Sequence, residues 1–222
     1  MTATSLPARV ALIAAVVAGV SYMFSWDLPL SQAQSLAWKG AGVGLLALYA
    51  ALRARTLDGW LICAVMVFGA LGDVLLGAAG LVTGAVAFLV GHLIAIWLYM
   101  RNRRAGITGR ARLLASLLVA ATVTVAFLLP DDRAGAPGVA LYALGLSIMA
   151  ACAWTSRFPR ATTGIGAVMF VVSDLLIFAR EGPLADQAWV GFGIWSLYFA
   201  GQTVICMGVT RTLARDAAPL TA

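Results

Sequence analysis

The sequence predicts an all-α, polytopic membrane protein with about eight transmembrane helices. Three observations carry that reading. Of the residues, 62% are hydrophobic and only 11% are charged. Mean hydropathy is +0.95, and a soluble fold of this size needs a more polar exterior to cover its core. The apolar residues fall into eight runs, each near the ~20 residues that a helix needs to cross a bilayer. The basic residues gather at alternate ends of those runs, as membrane orientation requires.

The first run, 8–25, has Arg9 at its start and lacks a small-x-small cleavage site, so it is read as a spanning helix and not as a signal peptide. The second, 36–53, comes after Asp27-Leu-Pro29 and closes at Arg53. The third, 59–78, starts beside Asp58 and contains Asp73; the fourth, 81–100, follows Gly80 and contains His92. The polar stretch 101–109 separates it from the fifth, 111–130, which stops at Pro130-Asp-Asp. The sixth, 137–155, ends before Pro159. The seventh, 161–179, contains Asp174 and stops at Glu181-Gly-Pro183; the eighth, 187–210, carries Trp195, Tyr198 and Gln202. These breaks have the chemistry of turns and helix ends. Strands are excluded, because an open sheet leaves backbone groups unsatisfied in lipid and no barrel-type alternation is present. Residues 1–222 are read as a single transmembrane domain.

With a cytoplasmic N-terminus, Arg9, Arg53, Arg55, Arg101, Arg103, Arg104, Arg110, Arg112, Arg157, Arg160, Arg211 and Arg215 lie inside. Lys39, Arg133 and Arg180 are the remainder of the 15 basic residues and lie outside. That asymmetry puts both termini in the cytoplasm. The formal charge of +6 is therefore a topology signal, and no nucleic-acid partner is expected. Cys63, Cys152 and Cys206 all sit in apolar runs and read as packing residues. Trp38, Trp60, Trp154 and Trp189 lie near run ends, where an interfacial belt belongs.

Two acidic residues break the pattern. Asp73 and Asp174 lie inside apolar runs, whereas the other seven acidic residues fall near run ends, in connections or in the tail. A carboxylate at membrane depth costs roughly 2.5–3.5 kcal/mol even on the lenient insertion scale, so it is rare without a task. Turns centred near Val82-Thr83 and Leu184 put Asp73 level with His92, and Asp174 level with Trp195 and Tyr198, in the outer half. Gln202 lies one turn deeper, and the first hairpin brings Tyr22 and Lys39 toward the same half. Gly72-Asp-Val-Leu-Leu echoes Ser173-Asp-Leu-Leu-Ile, and Phe88-Leu-Val-Gly-His92 echoes Tyr198-Phe-Ala-Gly-Gln202. Two parallel four-helix repeats with a site between them would account for both echoes.

Each polar residue also has a plain structural reading. The aspartates could tie helices together through a neighbouring hydroxyl. His92 could satisfy one interhelical bond, and Lys39 could simply reach the interface with its charged end. Two carboxylates at one depth favour acid–base work, because like charges in low dielectric compete for one proton. The single histidine cannot supply a His-rich zinc site, and neither metal nor cofactor is expected. A proton-coupled transporter and a non-catalytic scaffold are the alternatives, since buried Asp and His also serve proton relays.

The segments Gly72-Asp-Val-Leu-Leu, Phe88-Leu-Val-Gly-His, Ser173-Asp-Leu-Leu-Ile and Tyr198-Phe-Ala-Gly-Gln resemble the YhhN-like family, which includes the lysoplasmalogenases. The resemblance spans the second to the eighth run. It departs from the family pattern at Gly40, Ala95 and Phe199. It implies an eight-helix membrane hydrolase that cleaves the vinyl-ether bond of lysoplasmalogens, with a lysophospholipid substrate drawn from the bilayer. By the same resemblance, Asp73, His92, Asp174, Tyr198 and Gln202 occupy the family's polar motifs, and Lys39 matches a lysine at the start of its second helix. Enol-ether cleavage needs one carboxyl to give a proton and a second to stabilise the cation and orient water, in the manner of paired carboxylates in glycoside hydrolysis. Asp73 and Asp174 are the expected pair, with His92 and Tyr198 tuning protonation or positioning water. Lys39, Arg180, Tyr22 and Gln202 are the expected substrate-binding residues. The Ala- and Arg-rich composition with one lysine suggests a GC-rich bacterial genome, hence a bacterial inner membrane.

Overall fold

The computed structural model describes residues 5–217. Eight helices follow one another: α1 (Leu6–Tyr22), α2 (Gln32–Arg53), α3 (Leu57–Ala78), α4 (Leu81–Arg101), α5 (Gly109–Leu128), α6 (Ala136–Thr155), α7 (Ile165–Arg180) and α8 (Trp189–Asp216). A short 3₁₀ turn (Met23–Ser25) extends α1, and a π-helical turn (Arg160–Gly164) leads into α7. All eight segments are long and apolar enough to cross a membrane, and no strand occurs among the described residues. The predicted fold class is the one observed.

The ends are fixed by local chemistry. Ser31 caps α2 in a reciprocal box with Gln34, whose side chain accepts from the Ser31 backbone N–H at 2.9 Å. Thr56 and Thr108 cap α3 and α5 by accepting from Gly59 N–H and Ala111 N–H. Gly80 joins α3 to α4 with φ +88°, a conformation that side chains with a Cβ disfavour.

Sequential hairpins make the main contacts, and α4 on α6 and α2 on α8 close the bundle. Exchanging the first four helices with the last four converts one of these closures into the other. One continuous apolar core draws on α1 to α4 and α6 to α8. Large apolar side chains such as Ile13, Val82, Leu93, Leu117 and Leu141 face outward, the surface that lipid solvates. The end where α4 and α6 finish is tied by polar side chains. Arg101 and Asn102 donate to Asp58, and Arg157 donates to Asn102 and to Asp216.

Candidate active site

The opposite end of the bundle holds the site. There α1, α3 and α7 finish while α2, α4 and α8 begin, so six helix ends converge. They enclose a cavity of about 260 Å³. Its polar wall is Tyr22, Lys39, Asp73, Ser173, Asp174, Arg180 and Tyr198, and Trp26, Phe88 and Trp195 supply aromatic surface.

Asp73 lies five residues before the end of α3, and Asp174 lies six before the end of α7. Both are buried, with 3% and 4% of their surface exposed, so neither faces lipid. Each is held by one tyrosine from another helix. Tyr198 OH (α8) donates to Asp73 Oδ2 at 2.8 Å, and Tyr142 OH (α6) donates to Asp174 Oδ2 at 2.7 Å. In both aspartates Oδ1 has no hydrogen bond among the described residues, yet neither Oδ1 is sealed from space. Each therefore keeps one oxygen free for a ligand.

The scaffolding around the pair explains its placement. Ser173 Oγ donates to the Ile194 carbonyl at 3.0 Å, locking α7 to α8 one residue before Asp174. Trp195 Nε1 donates to the Gly19 carbonyl at 2.7 Å, locking α8 to α1. Phe170 and Phe88 pack edge-on to Tyr198, with centroids 5.1 and 5.7 Å away, and fix the ring that reaches Asp73. Trp195 lies 4.6 Å from the Tyr22 ring, completing an aromatic rim. The two cations of the wall, Lys39 and Arg180, make no ion pair within 4 Å; among the described residues such pairs are Arg101–Asp58 and Arg157–Asp216.

Six of the eight residues expected from sequence line this cavity: Asp73, Asp174, Tyr198, Lys39, Tyr22 and Arg180. His92 and Gln202 do not. The α3–α4 turn is centred at Ala79–Gly80 and not at Val82–Thr83, so His92 lies deeper than Asp73 by about six residues, ~9 Å of helix rise. It sits edge-on to Phe170 and touches Tyr142, with Nε2 3.2 Å from the hydroxyl. Gln202 is buried behind Tyr198, against Gly69. Tyr142 is the polar residue that sequence reasoning passed over. The depth count used for the other hairpins finds it, since it lies six residues into α6, matching Asp174 at six before the end of α7. Among the described residues no group of three or more His, Cys, Asp or Glu side chains is placed to hold a metal ion.

Eight membrane-length helices around a buried acidic cavity define an integral, multi-pass membrane protein. The chain belongs to the YhhN family, whose profile matches residues 34–209. It is similar to proteins named lysoplasmalogenase from Mycobacterium bovis and Mycobacterium tuberculosis. Each is 31% identical over 158 residues, covering 67% of this chain. The matched region covers 59% of the length of those relatives. No solved structure matches the chain.

Proposed function

We propose that the protein is a membrane hydrolase that cleaves the vinyl-ether bond of a lysoplasmalogen, releasing a fatty aldehyde and a glycerophospho-alcohol. The observation that carries this reading is the pair of aspartates, each with a free Oδ1, in the one cavity that also holds Lys39 and Arg180. The family and the names of its mycobacterial relatives support it.

The chemistry closes on two carboxyl groups. One, protonated, gives its proton to the β-carbon of the enol ether, and the π electrons form the new C–H bond. The oxocarbenium ion that results is balanced by the second, ionised carboxylate. Water adds to the cationic carbon as that carboxylate takes a water proton. In the collapse of the hemiacetal its hydroxyl proton returns to the first carboxyl, the C–O bond to glycerol breaks, and the glycerol oxygen takes the proton held by the second. One water is consumed and both aspartates are restored.

Lys39 and Arg180 would bind the phosphate, Tyr22 and the tryptophans would flank the glycerol, and the alkenyl chain would leave toward lipid. The cavity then opens to the exterior leaflet, with both termini cytoplasmic, as the distribution of arginines favours. A proton-coupled transporter would be served by helices broken at mid-membrane, but the one π turn among the described residues lies at the start of the seventh span.

Aldehyde release from lysoplasmalogen by detergent-purified protein tests the proposal. Asp73→Asn and Asp174→Asn should each lower kcat by about 10²-fold or more, the usual worth of a positioned acid or base. Turnover like that of the unaltered protein in either variant would remove that aspartate from the reaction.

A further inference from the structure

The two aspartates are not equivalent, and the groups behind them separate their tasks. Behind Asp73, the Tyr198 hydroxyl meets the Gly69 carbonyl at 3.4 Å and the Gln202 amide, neither of which exchanges a proton. Lys39 lies in the cavity wall with Asp73, within reach of its charge. Behind Asp174, the Tyr142 hydroxyl meets the imidazole of the only histidine in the chain. Tyr142 has one proton and commits it to Asp174 Oδ2. The 3.2 Å contact to His92 therefore needs the proton on His92 Nε2, which donates to the tyrosine oxygen.

We infer that Asp174 is the proton donor of the site, held by a Tyr142–His92 chain, and that Asp73 is the carboxylate that stays ionised beside Lys39. In its acid form Asp174 carries the proton on Oδ1, facing open space, while Oδ2 is the carbonyl that accepts from Tyr142. When the proton leaves for the substrate carbon, the electron pair of the Oδ1–H bond stays on Asp174. The Tyr142 hydrogen bond then becomes charge-assisted, and the His92 donation behind it strengthens the tyrosine as a donor. Asp73 takes the proton of water and later passes it to the glycerol oxygen, while the hemiacetal hydroxyl returns a proton to Asp174. Tyr142 and His92 touch no reacting atom and are positioning residues, which is consistent with His92 lying outside the cavity wall.

The role in turnover rests on the hydrolase proposed above, but the proton assignment has a readout of its own. The infrared C=O stretch of a protonated carboxyl, recorded on purified protein at neutral pH, reports where the proton sits and what bonds its carbonyl. The band should vanish in Asp174→Asn and persist in Asp73→Asn. Tyr142→Phe should move it to higher frequency, because the carbonyl loses its donor; His92→Gln should move it less, and Tyr198→Phe not at all. Tyr142→Phe should also lower kcat about 10-fold or more, with KM within about twofold. A band absent from the unaltered protein, lost in Asp73→Asn instead, or unmoved in a folded Tyr142→Phe variant overturns the assignment. If Tyr142→Phe does not fold, the two asparagine variants decide. The predicted band pattern without aldehyde release by the unaltered protein would sustain the assignment and sink the hydrolase.

Discussion

Lys39 and Arg180 lie in the wall of a cavity that contains two carboxylates, yet among the described residues neither is closed into an ion pair. A cation left unpaired beside a cavity is available to an anionic ligand. Lys39 stands about two turns into α2, with a long stem that lets its ammonium follow a phosphate. Lys39→Met keeps the stem and removes the charge. A hydrogen bond to a charged group contributes about 1.5–3 kcal/mol, so KM for lysoplasmalogen should rise about 10-fold or more, on top of any fall in kcat caused by removing the charge beside Asp73. The check is a parallel assay of an alkenylglycerol without phosphate, on which kcat should change to the same extent but KM should match that of the parent protein. Equal rises in KM on both substrates would remove the phosphate role. At this scale the sequence exposed the charged residues and hid Tyr142. A carboxylate in an apolar run stands out because of its insertion cost, but a tyrosine in such a run is ordinary. Its partners lie 32 and 50 residues away, on helices whose adjacency no local pattern shows.

At the scale of the helix, hydropathy located all eight spans and blurred their ends. Helix α2 begins at Gln32, before the apolar run at 36, because a polar Ser31–Gln34 capping box opens it. The seventh span begins with a π turn, which composition does not encode. The relation between α7 and α8 was also invisible, although it positions both Asp174 and Tyr198. These helices approach through glycines: a Cβ on Gly166 would sit 2.7 Å from the Gly201 carbonyl, and one on Gly201 would sit 2.8 Å from the Gly166 carbonyl. Backbone cannot yield as a side-chain tip can, so Gly201→Val must push the helices apart. Overpacking of this kind costs about 1–3 kcal/mol. The variant should unfold at a lower temperature and lose activity, as read by thermal denaturation and aldehyde release. Gly138→Ala is the control: it stands in open space with no atom within 4 Å of its Cβ and should do neither. Parent-like melting of Gly201→Val would show that the contact has slack.

For the whole molecule the question is which way the cavity faces. The bundle has a chemically distinct pair of ends. One carries the Asp58–Asn102–Arg157–Asp216 network and most of the arginines; the other carries the acidic cavity with Lys39 and Arg180. Excess arginine marks the cytoplasmic side because cationic segments resist translocation, whereas acidic residues contribute little to that bias. On that rule the cavity end would meet the outer leaflet, and a lysolipid would enter it from that side. Single cysteines placed in exposed connections report this directly, in a background where Cys63, Cys152 and Cys206 are replaced by alanine. Asp186 lies in the α7–α8 connection at the cavity end, and Arg104 follows α4 at the other. In intact cells a membrane-impermeant maleimide should label Asp186→Cys at once and Arg104→Cys only after permeabilisation. The reverse pattern would place the cavity toward the cytoplasm, and the substrate would then have to come from the inner leaflet.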